Sequence, residues 1–168
     1  MTAAPVREPA WPVARSAIGF WMTQAAIGTL VWVAIVVSAL IVVPADLGGP
    51  TPVLRWAVPL AIGIWRAIAI GVRPYIRYRV HRWEVTADTV HSLTGWLTRT
   101  WTVVPVARIQ TVDVTQGALQ RLFGLSTVAV LTASSQGTVT VPQLETDVAH
   151  RVADDLAHRA DAVRDDAT

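Results

Sequence analysis

The stretch RWEVTADTVHSLTGWLTRTWTVVPVARIQTVDVTQGALQRLFGL, residues 82–125, decides the fold of this chain. It consists of short segments rich in β-branched residues, which turn sequences such as TADT and LTGW separate. Short segments of this kind between turn signals are typical of antiparallel strands. Together with its flanks the stretch predicts strands near residues 78–86, 89–94, 97–104, 109–116, 126–133 and 138–141.

Two helical segments interrupt and close this predicted sheet. Leu119, Leu122 and Phe123 have helical spacing just before a glycine, which predicts one short helical turn. From Asp147 to about Val163, apolar residues recur with a helical period while acidic and arginine residues occupy the other positions, which predicts an amphipathic helix. Strands followed by a closing helix give an α+β domain over residues 74–164.

Two apolar segments precede this domain and predict membrane helices. Residues 20–43 carry no charge and exceed the roughly 20 residues that cross a bilayer. A cleaved signal peptide is the alternative, which we disfavour because the apolar run is longer than such peptides have. Residues 53–72 contain Arg55 and Arg66, so this helix needs the first one as a partner. We expect Arg66 to face lipid and to extend its side chain toward the headgroups.

A stripe of small residues favours close packing of the two helices. Pro59, Gly63, Ala67 and Gly71 recur every four residues and therefore share one face of the second helix. Such stripes let helix backbones approach each other in lipid. The sequence thus predicts a transmembrane hairpin over residues 19–73.

Composition agrees with a membrane protein and indicates its orientation. Of the 168 residues, 52% are hydrophobic and only 15% are charged. No cysteine is present, which excludes disulfides and thiolate metal sites. Arginines flank both outer ends of the hairpin and are missing from the linker, residues 44–52. The N-terminal arm (1–18), the C-terminal domain and the tail (165–168) are therefore expected in the cytoplasm, at the plasma membrane.

One motif carries a resemblance to a known family. The run R-I-Q is followed by Q-x-x-L-x-R-x-x-G-L, on Arg108, Ile109, Gln110, Gln116, Leu119, Arg121, Gly124 and Leu125. In this motif and its surroundings the chain resembles the bacterial pleckstrin-homology-like membrane proteins of the YdbS-like family. The resemblance implies a pleckstrin-homology-like (PH-like) β-sandwich or barrel, closed by a C-terminal helix and carried in the cytoplasm on a membrane hairpin. It also implies a non-enzymatic assembly or adaptor role, often encoded beside a larger relative with several such domains. No ligand can be carried over from the resemblance.

The first candidate binding residues follow the second helix. Arg73, Arg77, Arg79 and Arg82 form a basic juxtamembrane collar with no acidic residue between them. The collar could bind anionic phospholipid headgroups or could only fix the topology, and the two roles are compatible. Trp96, at the tip of a predicted hairpin, could enter the membrane interface or a partner's pocket, or could pack against the neighbouring strand.

A second group of candidates belongs to the family motif. Arg108, Gln110, Gln116 and Arg121 could form one polar surface that binds a partner or a headgroup. Alternatively, they fasten the short helix to the sheet by satisfying backbone groups, which is the interpretation we favour.

Catalytic and metal chemistry have little support in the sequence. His150, Asp154 and His158 share a helix face, but the two histidines lie about 12 Å apart along the axis, too far for one ion. An enzyme would need an acid–base pair assembled from Asp113 with His81 or His91. No cofactor is expected, and the acidic terminal helix disfavours nucleic acid.

The best interpretation of the sequence is a scaffold that binds a membrane-protein partner, expected to be a related protein with several PH-like domains. The alternative is direct binding of anionic phospholipid headgroups by the arginine collar. Membrane lipids are partners in either case.

Overall fold

A computed structural model describes residues 7–42, 52–132 and 137–166 of the chain. Two long helices, α1 (Ser16–Val42) and α2 (Pro52–Val80), follow a short N-terminal segment. Ser16–Val42 and Trp56–Val80 are long and apolar enough to cross a membrane, which agrees with the predicted hairpin. Nearly all of the predicted linker, residues 44–52, lies outside the described residues, and so does the side chain of Arg55.

The rest of the chain forms two antiparallel sheets and two further helices. The strands are β1 (Trp11–Pro12), β2 (Arg82–Val85), β3 (Thr89–Gly95), β4 (Arg99–Pro105), β5 (Ile109–Thr115), β6 (Leu125–Thr132) and β7 (Thr138–Glu145). The order is β1-β2-β3-β4 in one sheet and β5-β6-β7 in the other. A single 3-10 turn (Val106–Arg108) joins the sheets, and the helices are α3 (Ala118–Leu122) and α4 (Thr146–Asp166). The sheets do not close into a barrel, so the sandwich form of the predicted architecture is the one observed.

The main core lies between the two sheets and α4. Alternate residues of the strands point inward, as the buried pairs Val90–Val104 and Val128–Val141 show. The buried face of α4 closes this core with Ala149, Leu156 and Ala160. Prediction of five strands and of the closing helix is therefore confirmed, although β7 extends past the predicted end at residue 141.

The predicted strand at 78–86 is wrong over its first four residues. Helix α2 continues to Val80, and the backbone N–H of His81 donates to the carbonyl of Arg77 at 2.8 Å. Strand β2 begins only at Arg82. The alternation of polar and apolar residues at 78–81 is typical of a strand. In the last turn of the helix, however, Tyr78 packs against a core cluster and Val80 is buried.

No sequence pattern predicts β1, because this strand has two residues and ends in proline. Trp11 pairs with Trp83 and Pro12 with Arg82, so the N-terminal arm adds a strand to the edge of the first sheet. The indole N–H of Trp83 donates to the carbonyl of Pro12 at 3.2 Å. The carboxylate of Glu84 accepts from the Arg7 guanidinium and from the Ala10 backbone N–H, both at 3.0 Å.

A second core joins the hairpin to the PH-like domain. It is formed by Val13, Ala17, Phe20, Trp21 and Leu125, with Leu119 and Phe123 packed against it. The ring of Phe20 meets that of Phe123 edge to face, with 6.2 Å between their centres. Gln143 contributes through an unusual backbone angle, φ 61°, and its carbonyl accepts a hydrogen bond from the Ala14 N–H at 3.0 Å. The first turn of α1 is thus part of the folded domain.

Candidate functional site

A groove between α1 and α2 brings three arginines together. Arg66, Arg73 and Arg77 are seven and four residues apart, so they lie on one face of α2, and this face looks toward α1. With Gln24 and Thr29 of α1 they line a cavity of about 360 Å³, which we call the arginine groove. Its other lining residues are Trp21, Ala25, Gly28, Ile62, Trp65, Ala69, Ile70 and Pro74, so among the described residues no carboxylate lines it.

Each groove arginine is stacked on a tryptophan ring. The guanidinium carbon of Arg73 lies 4.6 Å from the centre of the Trp96 ring, and that of Arg77 lies 4.7 Å from the Trp21 ring. Arg66 is 5.8 Å from the Trp32 ring. Stacking on the face of a ring holds a guanidinium in one plane and leaves the N–H groups at its edge available.

The prediction that Arg66 faces lipid is wrong. Its Nε–H donates to the hydroxyl of Thr29 at 3.3 Å, and this hydroxyl in turn donates to the carbonyl of Ala25 at 2.8 Å. A polar partner on the neighbouring helix satisfies the guanidinium within the apolar layer, so the side chain need not extend to the headgroups. The partner lies on α1, so only the packing of the helices could reveal it.

The small-residue stripe forms only part of the helix interface. A Cβ atom at Gly63 would lie 3.7 Å from the Trp32 ring, so this glycine does face α1. Gly71 would meet nothing within 4 Å, and Ala67 is exposed. The arginine face of α2 turns toward α1 instead, because Arg66 finds Thr29 and Trp32 there.

The predicted arginine collar is divided into two pairs. Arg73 and Arg77 line the groove, Arg73 as an exposed residue and Arg77 as a half-buried one. Arg79, which is exposed, and Arg82, a half-buried residue of β2, are not among the lining residues. Spacing along α2 could have revealed this division, because positions 73 and 77 are one helical turn apart and 79 lies on another face.

The β3–β4 hairpin reaches back to the membrane helices. Trp96 at its tip packs under Arg73 of α2. The next residue, Leu97, is 80% exposed. Strand β4 continues from this tip with the exposed side chains of Trp101 and Val103, and it is the last strand of its sheet.

Gln116 satisfies a backbone group, as in the interpretation that we favoured, but its bonds do not involve the short helix itself. Its side-chain amide donates to the carbonyl of Leu125 at 3.0 Å and to the hydroxyl of Thr146 at 2.9 Å. These bonds tie the end of β5 to the starts of β6 and α4. Gly124, with φ 63°, ends the short helix in the left-handed region that glycine favours.

The four motif residues Arg108, Gln110, Gln116 and Arg121 do not form one polar surface. Arg108 and Gln110 lie at the start of β5, about 20–26 Å along the chain from Gln116, which follows its other end. Arg121 lies near that other end on α3, where it is exposed. Sequence proximity suggested a single cluster, but an extended strand separates the two pairs.

His81 is a buried histidine at the junction of α2 and β2 that received little weight in the sequence analysis. It is 3% exposed, its Nδ1–H donates to the Arg77 carbonyl at 2.8 Å, and its ring centre lies 5.3 Å from that of Trp21. Burial is the main cause that lowers the pKa of His81. The hydrogen bond to the Arg77 carbonyl raises this pKa, and the nearby Arg77 charge lowers it.

The residues considered for catalysis or metal binding lie apart. His91 shares a hydrogen bond with the Thr89 hydroxyl at 2.8 Å, while Asp113 is exposed on the other sheet. His150 and His158 are exposed on α4. Within the described ranges, no three histidine or acidic residues are grouped to hold a metal ion.

Comparison with known proteins agrees with this arrangement of hairpin and sheets. The sequence model of the family described as Bacterial PH domain matches residues 19–160, which include both membrane helices. The chain belongs to the bacterial PH domain family. The resemblance drawn from the R-I-Q and Q-x-x-L-x-R-x-x-G-L motif is thereby confirmed.

A relative of this bacterial PH-domain protein is also a membrane protein. The chain is 31% identical over 99 residues to the transmembrane protein YdbS of Bacillus subtilis (strain 168). The match covers 59% of this chain and 61% of YdbS, so it spans less than two thirds of the relative. No solved structure matches the chain. The protein is therefore a membrane-associated PH-domain protein with two candidate spans.

Proposed function

We propose that this protein is a non-enzymatic scaffold at the plasma membrane, which binds a membrane-protein partner through its PH-like domain. The partner that we propose is a related protein with several PH-like domains. Strand β4 is the observation that carries this proposal. It is an edge strand, and within the described part of the chain no other strand pairs with its outer side.

Strand β4 has the properties of a protein-binding edge. An unpaired edge offers a row of backbone donors and acceptors to an added strand. The side chains of Trp101 and Val103 are 42% and 43% exposed, so apolar surface accompanies these backbone groups. The strand starts beside Arg73 of α2, because the preceding Trp96 packs there. A protein bound along β4 would therefore lie close to the bilayer, which favours a membrane protein as the partner.

The second core supports a positioning role. It holds the first turns of α1 against α3 and the start of β6, so the domain has a defined orientation relative to the hairpin. The flanking arginines favour a cytoplasmic location of both termini and of the domain. Membership in the bacterial PH domain family, which is not a family of enzymes, supports a function without catalysis.

Affinity purification with a matched pair of variants tests the scaffold function. The tagged protein is purified from its native membrane in mild detergent, and the copurified proteins are identified by mass spectrometry. Val103→Lys places a charge on the β4 edge, whereas Val163→Lys places it on α4 at a residue with similar exposure, 41% against 43%. We expect a stoichiometric membrane-protein partner with the wild type and Val163→Lys, and at least tenfold less with Val103→Lys. Recovery of the wild type without a partner would contradict the proposal.

Direct binding of anionic phospholipid headgroups is a second candidate function. The observation that favours it is the arginine groove, in which Arg73 and Arg77 have no acidic partner within the described residues. A cation near the membrane surface contributes about 1 kcal/mol to the binding of anionic lipid.

A further inference from the structure

We propose that the arginine groove is a binding site for one anionic phospholipid, whose phosphate lies between Arg73 and Arg77. The lipid comes from the leaflet next to the PH-like domain. This inference rests on the second candidate function and is independent of the scaffold function. It differs from binding by the whole collar, because it assigns the ligand to Arg66, Arg73 and Arg77 and leaves Arg79 and Arg82 outside the site.

The positive charge of the groove favours an anionic ligand. Three guanidinium groups face one cavity, and no carboxylate of the described part of the chain lines it. Among the described residues, the ion pairs of the protein lie elsewhere, at Arg7–Glu84, Arg99–Glu8 and Arg159–Asp155. Like charges beside apolar helix surface are costly without a counter-charge, because the local dielectric constant is low. A bound phosphate diester supplies that counter-charge.

The geometry of the arginines suits a phosphate group. A guanidinium is planar, and its N–H groups match two oxygens of a phosphate. The rings of Trp96 and Trp21 hold the guanidinium groups of Arg73 and Arg77 in place before any ligand arrives. The binding energy is then not spent on ordering two long side chains.

The depth and lining of the groove favour a lipid over a free anion. Arg66 lies about 10 Å along α2 from Arg73, on the side away from the domain. Its Nε is bound to Thr29, so its other N–H groups can reach the ester oxygens below a phosphate. Ile62 and Trp65 line the groove and are 40% and 69% exposed, so the groove opens to the surface that acyl chains would cover.

Native mass spectrometry of the full-length protein in detergent tests this site. The protein is titrated with phosphatidylglycerol, with zwitterionic phosphatidylcholine, and with inorganic phosphate in competition. Arg73→Gln/Arg77→Gln removes two charges from the groove, and Arg79→Gln/Arg82→Gln removes two charges from the same collar outside it. Single Arg66→Gln tests the deep end, and thermal unfolding of every variant checks that it is folded.

We expect phosphatidylglycerol to be retained at least tenfold better than phosphatidylcholine. The Arg73→Gln/Arg77→Gln variant should bind phosphatidylglycerol roughly 25-fold more weakly, about fivefold for each arginine, and the Arg79→Gln/Arg82→Gln variant less than threefold more weakly. Arg66→Gln alone should weaken binding about fivefold. Arg73→Lys keeps the charge but loses the planar guanidinium, so it should retain only part of the phosphatidylglycerol binding of the wild type.

Three results would overturn the inference. Equal losses in the two double variants would assign lipid binding to the collar as a whole, so the second candidate function would stand while the groove would not. Displacement of the lipid by millimolar inorganic phosphate would make the site one for a free anion. Equal retention of phosphatidylglycerol and phosphatidylcholine would contradict both the groove site and the second candidate function. It would have no bearing on the scaffold function.

Discussion

At the scale of single residues, His81 makes the stability of the junction depend on pH. Burial lowers its pKa in the folded protein, so the unfolded chain binds a proton at a higher pH than the folded chain does. The neutral ring therefore contributes stability that is present above the unfolded pKa, about 6.5, and is lost as the pH falls below it.

We expect the wild-type protein to lose stability as the pH is lowered from 7.5 to 5.5. His81→Asn keeps an N–H donor in place of Nδ1 and cannot titrate, so its stability should change less over the same range. Thermal unfolding in detergent at a series of pH values measures the two slopes, and the exposed His150→Asn is the control. Equal slopes for wild type and His81→Asn would mean that the buried ring does not set this dependence.

At the scale of elements, the N-terminal strand β1 protects one edge of the first sheet. It pairs with β2, and the indole N–H of Trp83 donates a hydrogen bond to the carbonyl of Pro12. Just before β1, the backbone N–H of Ala10 donates to the carboxylate of Glu84. A net contribution of about 1 kcal/mol is typical of each such hydrogen bond.

Removal of residues 1–12 should lower the free energy of unfolding by about 2 kcal/mol, since these two bonds are lost together. Trp83→Phe, which loses only the indole donor, should lower it by about 1 kcal/mol. Urea unfolding followed by tryptophan fluorescence gives both values. Removal of residues 1–6 alone leaves all these contacts and is the matched control. A truncated protein as stable as the full chain would show that β1 does not support the sheet.

At the scale of the whole molecule, the second core fixes the PH-like domain on its hairpin. Gly19 is essential for this contact, because a Cβ atom there would lie 2.9 Å from Cε1 of Phe123. A leucine at this position must displace the Phe123 ring, which also packs against Phe20. The close approach of the Phe123 ring therefore explains why position 19 is a glycine.

Gly19→Leu should loosen the domain relative to the hairpin. The chain has no cysteine, so one spin label on α1 and one on α4 can be attached at introduced cysteines. We expect the distribution of distances between the labels to broaden in Gly19→Leu. Gly71→Leu is the control, because nothing lies within 4 Å of its added Cβ. An unchanged distribution in Gly19→Leu would mean that the contact with Phe123 does not hold the two parts together.

The sequence by itself determined the two membrane helices, five of the strands and the closing helix, because each depends on the local period of apolar residues. The resemblance to the family could also be seen in the sequence, because its motif lies within one short segment. In that segment Gln116 makes a hydrogen bond to the next strand, Leu119 and Leu125 contact the second core, and Gly124 ends the short helix.

Only the tertiary structure decided which residues meet across long separations in the chain. The face of α2 that meets α1 depends on Thr29 and Trp32 as partners of Arg66, which no pattern within α2 specifies. Strand β1 exists because β2 offers it an edge, and the arginine groove exists because two helices and a hairpin tip supply its parts. The physical reason is common to these cases: a contact energy belongs to both partners, and a local pattern shows only one of them.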